Sequence, residues 1–178
     1  MQFAGIGLMA AAVTGIGFYA AENIRIRFEV LQLFRRMISQ LQVRILQNKD
    51  PLPEALMQVG SWFEHQQKGT MKEAGRMFVR VSSRMNMEYQ KTFGAIWKEE
   101  LLHLAGHMPL KEEDLRDLLE LGENLGYSDR LTQEKTIAFY QEQTEASIEE
   151  IKKEMDIRMK LYRSLGAAAG LFLAVILI

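Results

Sequence analysis

Charge is absent from both ends of this chain. Residues 1–21 and 164–178 contain no Asp, Glu, Lys, Arg or His, so every charged side chain falls within 22–163. At 1.5 Å per residue the first stretch makes a helix of about 32 Å, enough for a hydrocarbon core of about 30 Å. The second gives about 22 Å, a short span by the same measure. Leu161 and Tyr162 extend its apolar reach, and Arg163 can snorkel its guanidinium outward. The expectation is an N-terminal transmembrane anchor at 1–21, a helical domain at 22–163 and a C-terminal transmembrane anchor at 164–178.

The distribution of Lys and Arg orients that arrangement. Arg25, Arg27, Arg35 and Arg36 follow the first apolar stretch, and Lys152, Lys153, Arg158, Lys160 and Arg163 precede the second. The outer flanks have none, and the positive-inside rule then expects the domain in the cytoplasm and both termini outside. A cleaved secretory signal fits less well, because no basic residue precedes the apolar run. A cut after Ala21 would also leave Tyr19 where a small residue is wanted. The chain has no Cys and a net charge of −1, which removes disulfide and thiol chemistry and offers no sign of nucleic-acid binding.

Helical periodicity runs through the charged segment. Ile24, Phe28, Leu31, Phe34, Ile38, Leu41 and Ile45 recur every three or four residues with no Pro or Gly between 20 and 47. Asn48-Lys49-Asp50-Pro51 ends that helix, and Pro53 suits the first turn of the next. Its apolar stripe is Leu52, Ala55, Leu56 and Val59. Thr70-Met71-Lys72-Glu73 reads as a capping box opening a third helix. A fourth carries Phe93, Ile96, Trp97 and Leu101 and stops at Gly106 and Pro109. The fifth spans about 111–124 with Leu115, Leu118, Leu119 and Gly122 inward, and Gly126 is expected as its left-handed cap. The last runs from 129 onward, with Ile137, Tyr140, Thr144, Ile148, Ile151, Met155, Met159 and Tyr162 on one stripe. The fold class is therefore all-α: an antiparallel bundle of about six helices, with the first and last continuous with the terminal anchors.

Two segments carry a resemblance. Asp50-Pro51-Leu52-Pro53-Glu54-Ala55-Leu56 and Gly122-Glu123-Asn124-Leu125-Gly126 resemble the repeated pattern of the type II secretion and type IV pilus inner-membrane platform protein. The closer resemblance is to the stage III sporulation protein AB family, short one-domain relatives of that platform. It rests on 121–130, on Gln133, on Tyr162-Arg163-Ser164-Leu165-Gly166, and on the two-anchor layout. The resemblance implies a non-enzymatic platform of the mother-cell–forespore channel, seated in the mother-cell membrane around the forespore. It also implies a cytoplasmic secretion-type ATPase and other membrane subunits of the channel as partners. The motif residues Pro51, Leu52, Ala55, Leu56, Gly122, Glu123, Gly126 and Asp129 need no chemical role. Gly122 permits close helix approach, and Asp129 stands where a side chain would cap the last helix.

Chemistry finds little purchase. His103 and His107 are one helical turn apart, but Leu104 stands where a zinc protease needs Glu, and two histidines make a metal site only with further convergent Cys, Asp or Glu ligands. A membrane-tethered metal-dependent enzyme using this pair is the alternative of a different class, and an assembly platform without an ATPase is a third. No phosphate-cradling loop is present, and no catalytic residue, cofactor or metal is expected. The segment 111–123 holds six acids (Glu112, Glu113, Asp114, Asp117, Glu120, Glu123) against Lys111 and Arg116. Charged helix faces are usually just solvated. The sharper reading makes Glu112, Glu113 and Asp117 a docking surface for a basic partner. The basic residues of 22–44 suit anionic lipid and topology signalling. Within the anchors, Gly7, Ala11 and Gly15 form a small-residue ridge, and Gly166 and Gly170 a second. They are expected to meet as a hairpin, with Gly15 near Gly170, or alternatively to join copies in a homo-oligomer.

Overall fold

Two long helices frame the molecule. The computed structural model describes the backbone of residues 2–127 and 130–177, and the side chains of 22–69, 71–126, 131–158 and 161. Helix α1 (Gln2–Gln42) passes into a π-helical segment (Val43–Asn48). There follow α2 (Leu52–Gln66), α3 (Thr70–Met87), α4 (Phe93–Ala105), α5 (Glu112–Tyr127) and α6 (Arg130–Leu177). All of the secondary structure among the described residues is helical, as the periodicity requires.

The helix α1 is buried on two faces. Leu31 packs with Ile148 and Ile151 of α6, joined by Ile24, Phe28 and Met155, while Phe34, Met37, Ile38 and Leu41 enter the main core. Pairing of Arg35 with Glu145 and of Gln42 with Gln141 (3.2 Å) makes α1 and α6 antiparallel. Long amphipathic stripes on both helices produce that pairing. Its consequence is that both uncharged ends leave the bundle from the same end.

The hairpin α2–α3 is the tightest packing in the fold. A Cβ on Gly75 would sit 2.5 Å from the backbone nitrogen of Glu64, and one on Gly60 would sit 2.8 Å from the Gly75 carbonyl. Two backbones therefore touch where only glycine fits. Pro51 caps α2 with Pro53 inside its first turn, and Ala55, Leu56 and Val59 are buried as the stripe requires. The Ser82 hydroxyl of α3 donates to the Pro53 carbonyl at 2.6 Å, so this buried polar group is satisfied.

Several expectations change. The chain break after α1 takes the form of a π segment closed by Lys49 in the left-handed region (φ 63°), a cost that non-glycine residues normally avoid. Thr70 lies inside the helix rather than at its N-cap. Gly69 is the N-cap with φ 56° and ψ −138°, a conformation open essentially only to glycine, and Glu73 is drawn to Arg76 (2.5 Å). Gly126 is not a left-handed cap. The helix α5 continues through it to Tyr127, and a Cβ there would meet Phe93 at 2.8 Å. Its glycine serves close packing.

Among the described residues no helix is long and apolar enough to cross a membrane. The expected transmembrane anchors at 1–21 and 164–178 lie outside the described side chains, as do Gly7, Ala11, Gly15, Gly166 and Gly170. Asp129, expected to cap α6, is likewise outside the described residues.

Candidate functional site

The acidic face of α5 is not one solvated surface. Asp114 turns inward from its first turn and is 3 % exposed, opposite Arg27 of α1, which is 5 % exposed. Arg27 Nε donates to Asp114 Oδ2 at 2.7 Å and its Nη2 to Oδ1 at 2.8 Å, a bidentate pair. The same Nη2 donates to Glu113 Oε1 at 2.9 Å, and the Lys111 backbone N–H donates to Asp114 Oδ2 at 2.9 Å. Burial works against the Arg27 charge. The hydrogen bond and attraction of Asp114 outweigh it and hold the guanidinium above its ordinary value. Arg27 and Asp114, expected on lipid-facing and solvated faces, instead form a buried pair. A signal was present: Arg27 lies on the stripe Ile24–Phe28–Leu31, and Asp114 on Leu118–Leu121–Leu125.

The motif glycines seat α5 on the aromatic residues of α4. A Cβ on Gly122 would fall 2.0 Å from Trp97 Cδ1, and the Trp97 indole N–H donates to the Leu118 carbonyl at 2.8 Å. Phe93 covers Gly126 in the same way, while Glu123 stays exposed. The two glycines are therefore receptors for two rings that themselves stack at 5.6 Å. Along the same helix, Glu112, Glu120 and Glu123 face solvent. Asp117 lines a cavity of about 250 Å³ between α5 and α6, together with Glu120, Leu121, Lys135, Phe139 and Tyr140. Burial, reinforced by the neighbouring acids Asp114, Glu120 and Glu113, raises the Asp117 carboxyl above its ordinary value, against the pull of Arg116.

Sequence comparison now places the chain. The model of the stage III sporulation protein AB family matches residues 2–178. The chain belongs to that family. The stage III sporulation protein AB of Bacillus subtilis (strain 168) is 25 % identical over 177 residues, covering 99 % of each chain. A solved structure of a stage III sporulation protein AB superposes with a TM-score of 0.63 at 21 % identity, covering 74 % of this chain and 97 % of that one. That likeness shows a shared fold. The platform-like segments Pro51–Leu56 and Gly122–Gly126 thus belong, in this family member, to the α2 entry and the α4–α5 contact.

The proposed docking residues separate in space. Glu112 is exposed, Glu113 is committed to Arg27, and Asp117 faces the α5–α6 cavity. Charge reversal at all three would strike an ion pair and a half-buried carboxylate, so it is no clean surface probe. His103 and His107 stack edge to face at 5.5 Å on the exposed side of α4 and its following turn. Among the described residues no group of three or more His, Cys, Asp or Glu converges on a point that could hold a metal.

Proposed function

We propose that this chain is a membrane-anchored, non-enzymatic platform subunit of the mother-cell–forespore channel in sporulation. Membership of a sporulation family along 2–178 is the observation that carries the process. The mechanical part rests on α1 and α6, which pair antiparallel through Leu31, Ile148 and Ile151 and run on toward the uncharged ends. Two helices continuous with two membrane spans would hold the domain at a fixed height and angle to the bilayer. The Lys/Arg asymmetry orients the domain to the mother-cell cytoplasm with both termini outside. There it docks a secretion-type ATPase and links nucleotide-driven motion to the other membrane subunits.

Co-purification from sporulating cells tests the partner. Recovery of an ATPase with the anchored chain is the expected result, and its absence under gentle extraction refutes docking. Topology has its own check, because the chain has no Cys. A membrane-impermeant thiol reagent should label Gln2→Cys and spare Gln66→Cys, an exposed residue at the end of α2. The reverse labelling refutes the orientation.

A further inference from the structure

From Val30 to Lys49 the chain carries Arg35, Arg36, Arg44 and Lys49 and not one Asp or Glu. The helix α1 runs unbroken from the uncharged end, so Arg36 stands about 22 Å along the helix axis beyond residue 21. The Debye length at physiological salt is about 8 Å, and the field of anionic headgroups does not reach that far. Two grooves flank this stretch. One, of about 350 Å³, lies between α1 and α6 and is lined by Gln32, Arg35, Arg36, Ser39 and Gln141. The other, of about 260 Å³, lies between α1 and α2 and holds Arg44, Gln58 and Trp62. Ser39 and Gln40, successive exposed residues, border one groove each, so the two grooves form one face.

The charges on this face are not equally committed. Arg35 pairs with Glu145, and Arg44 with Gln58 and, at 3.4 Å, with Asp50. Arg36 is exposed, and its Nε donates to the Gln32 carbonyl of its own helix at 3.3 Å. Among the described residues no carboxylate pairs with it. On the far rim the Trp62 ring is 57 % exposed and held edge-on against Phe63, with centroids 4.6 Å apart. Tryptophan and arginine are the residues from which binding hot spots are most often built. We infer that the outer face of α1 at 32–44, together with Trp62, docks an acidic protein surface. A carboxylate enters the α1–α6 groove as the bidentate partner of Arg36, and an apolar neighbour of that carboxylate covers Trp62. The inference rests on the docking reading above and reverses the charge expected of the partner. Nucleic acid fits less well, because a phosphate chain needs a row of free cations, and Glu145 and Asp50 already occupy two of the three arginines.

Fluorotryptophan makes the test direct, because the chain has two Trp, Trp62 on this face and Trp97 buried in the core. The full chain, so labelled and held in zwitterionic nanodiscs, is titrated with the capped peptide Glu-Glu-Leu-Phe-Glu and with its neutral isostere Gln-Gln-Leu-Phe-Gln. Oligothymidylate and phosphatidylglycerol vesicles are the other two probes. The acidic peptide should move the Trp62 fluorine signal saturably and leave that of Trp97 in place. The Gln peptide should bind at least about tenfold more weakly, having lost the charge-assisted bonds. Arg36→Gln should weaken the acidic peptide at least about fivefold without changing the melting temperature, since the residue is exposed. No response at Trp62, an equal response to the Gln peptide, a stronger one to oligothymidylate or vesicles, or full binding in Arg36→Gln would overturn the surface. The docking reading fails separately, if the unaltered chain recovers no ATPase from cells.

Discussion

The two sides of this bundle deal with polar groups in opposite ways. Around α2, α3 and α4 the interior is sealed and the charges stay outside. Arg84 pairs with Glu88 (2.6 Å), Glu100 (2.9 Å) and Glu99, and Lys91 pairs with Glu99 (2.9 Å) and Glu88 (3.2 Å). Beneath them lie Phe78, Val81, Ile96 and Trp97, all buried, and the backbone contact of Gly60 with Gly75. Around α1, α5 and α6 the polar groups go inside: the Arg27–Asp114 pair, the half-buried Asp117 and the buried Tyr140. An apolar seam with surface ion pairs is rigid and replaceable in its charges, since exposed pairs are worth about 0–1 kcal/mol each. A seam with charge inside depends on particular partners. The difference separates a side held by apolar packing from a side held by specific polar contacts.

The largest effect expected within the sealed side comes from Leu56→Asp. Leu56 is completely buried in α2 within the apolar core, so the carboxylate costs at least about 4 kcal/mol. The chain should disappear from cells; full abundance with an unchanged melting curve would break the account of α2.

On the polar side a buried charge is tolerated only as a pair. Arg27→Met should cost about 3–5 kcal/mol by stranding Asp114. Adding Asp114→Asn keeps an oxygen for the Lys111 N–H and should recover most of that loss. Additive losses in the double variant would show that the two residues act independently.

Gly75→Ala sharpens the contrast at a smaller scale. The added methyl meets the backbone of α2 at 2.5 Å, which cannot rotate away, and overpacking of this kind costs about 1–3 kcal/mol. A melting temperature equal to the parent would mean that α2 and α3 slide apart freely.

The smallest effects have opposite signs. Hydrogen bonds from Arg84, then Lys91, hold Glu88 down to about 2 from its ordinary 4.5. Its folded value lies below its unfolded one, so its contribution is present above 4.5 and is lost as pH falls through about 2. Asp117 is the reverse: burial holds its carboxyl above the ordinary 3.8, so the folded chain is penalised at neutral pH and relieved as pH falls through the raised value. Melting at pH 7 should be slightly lower for Glu88→Gln and higher for Asp117→Asn, with both differences shrinking in acid. A like sign for the two variants at neutral pH would erase the distinction between the two sides.

Much of this architecture is legible in residue order. The stripes of α1, α2, α4 and α6, the breaks at Pro51 and at Gly106, and the close approach at Gly122 all follow from spacing, because burial on a helix recurs every three to four residues. The resemblance carried by 121–130, Gln133 and 162–166 also reached the family that the chain belongs to. Spacing could not tell which helix faces which. It left Gly126 as a cap because the chain's continuation through Tyr127 depends on Phe93 arriving from α4. It left Gly60 and Gly75 unremarked because each looks ordinary until the backbones of α2 and α3 touch. Arg27 and Asp114 stand 87 residues apart, and each alone is a misplaced charge on an apolar stripe. Local sequence determines which surfaces must be buried; only the tertiary structure decides which buried charge meets its opposite, since a hydrogen bond is a relation between two places in space.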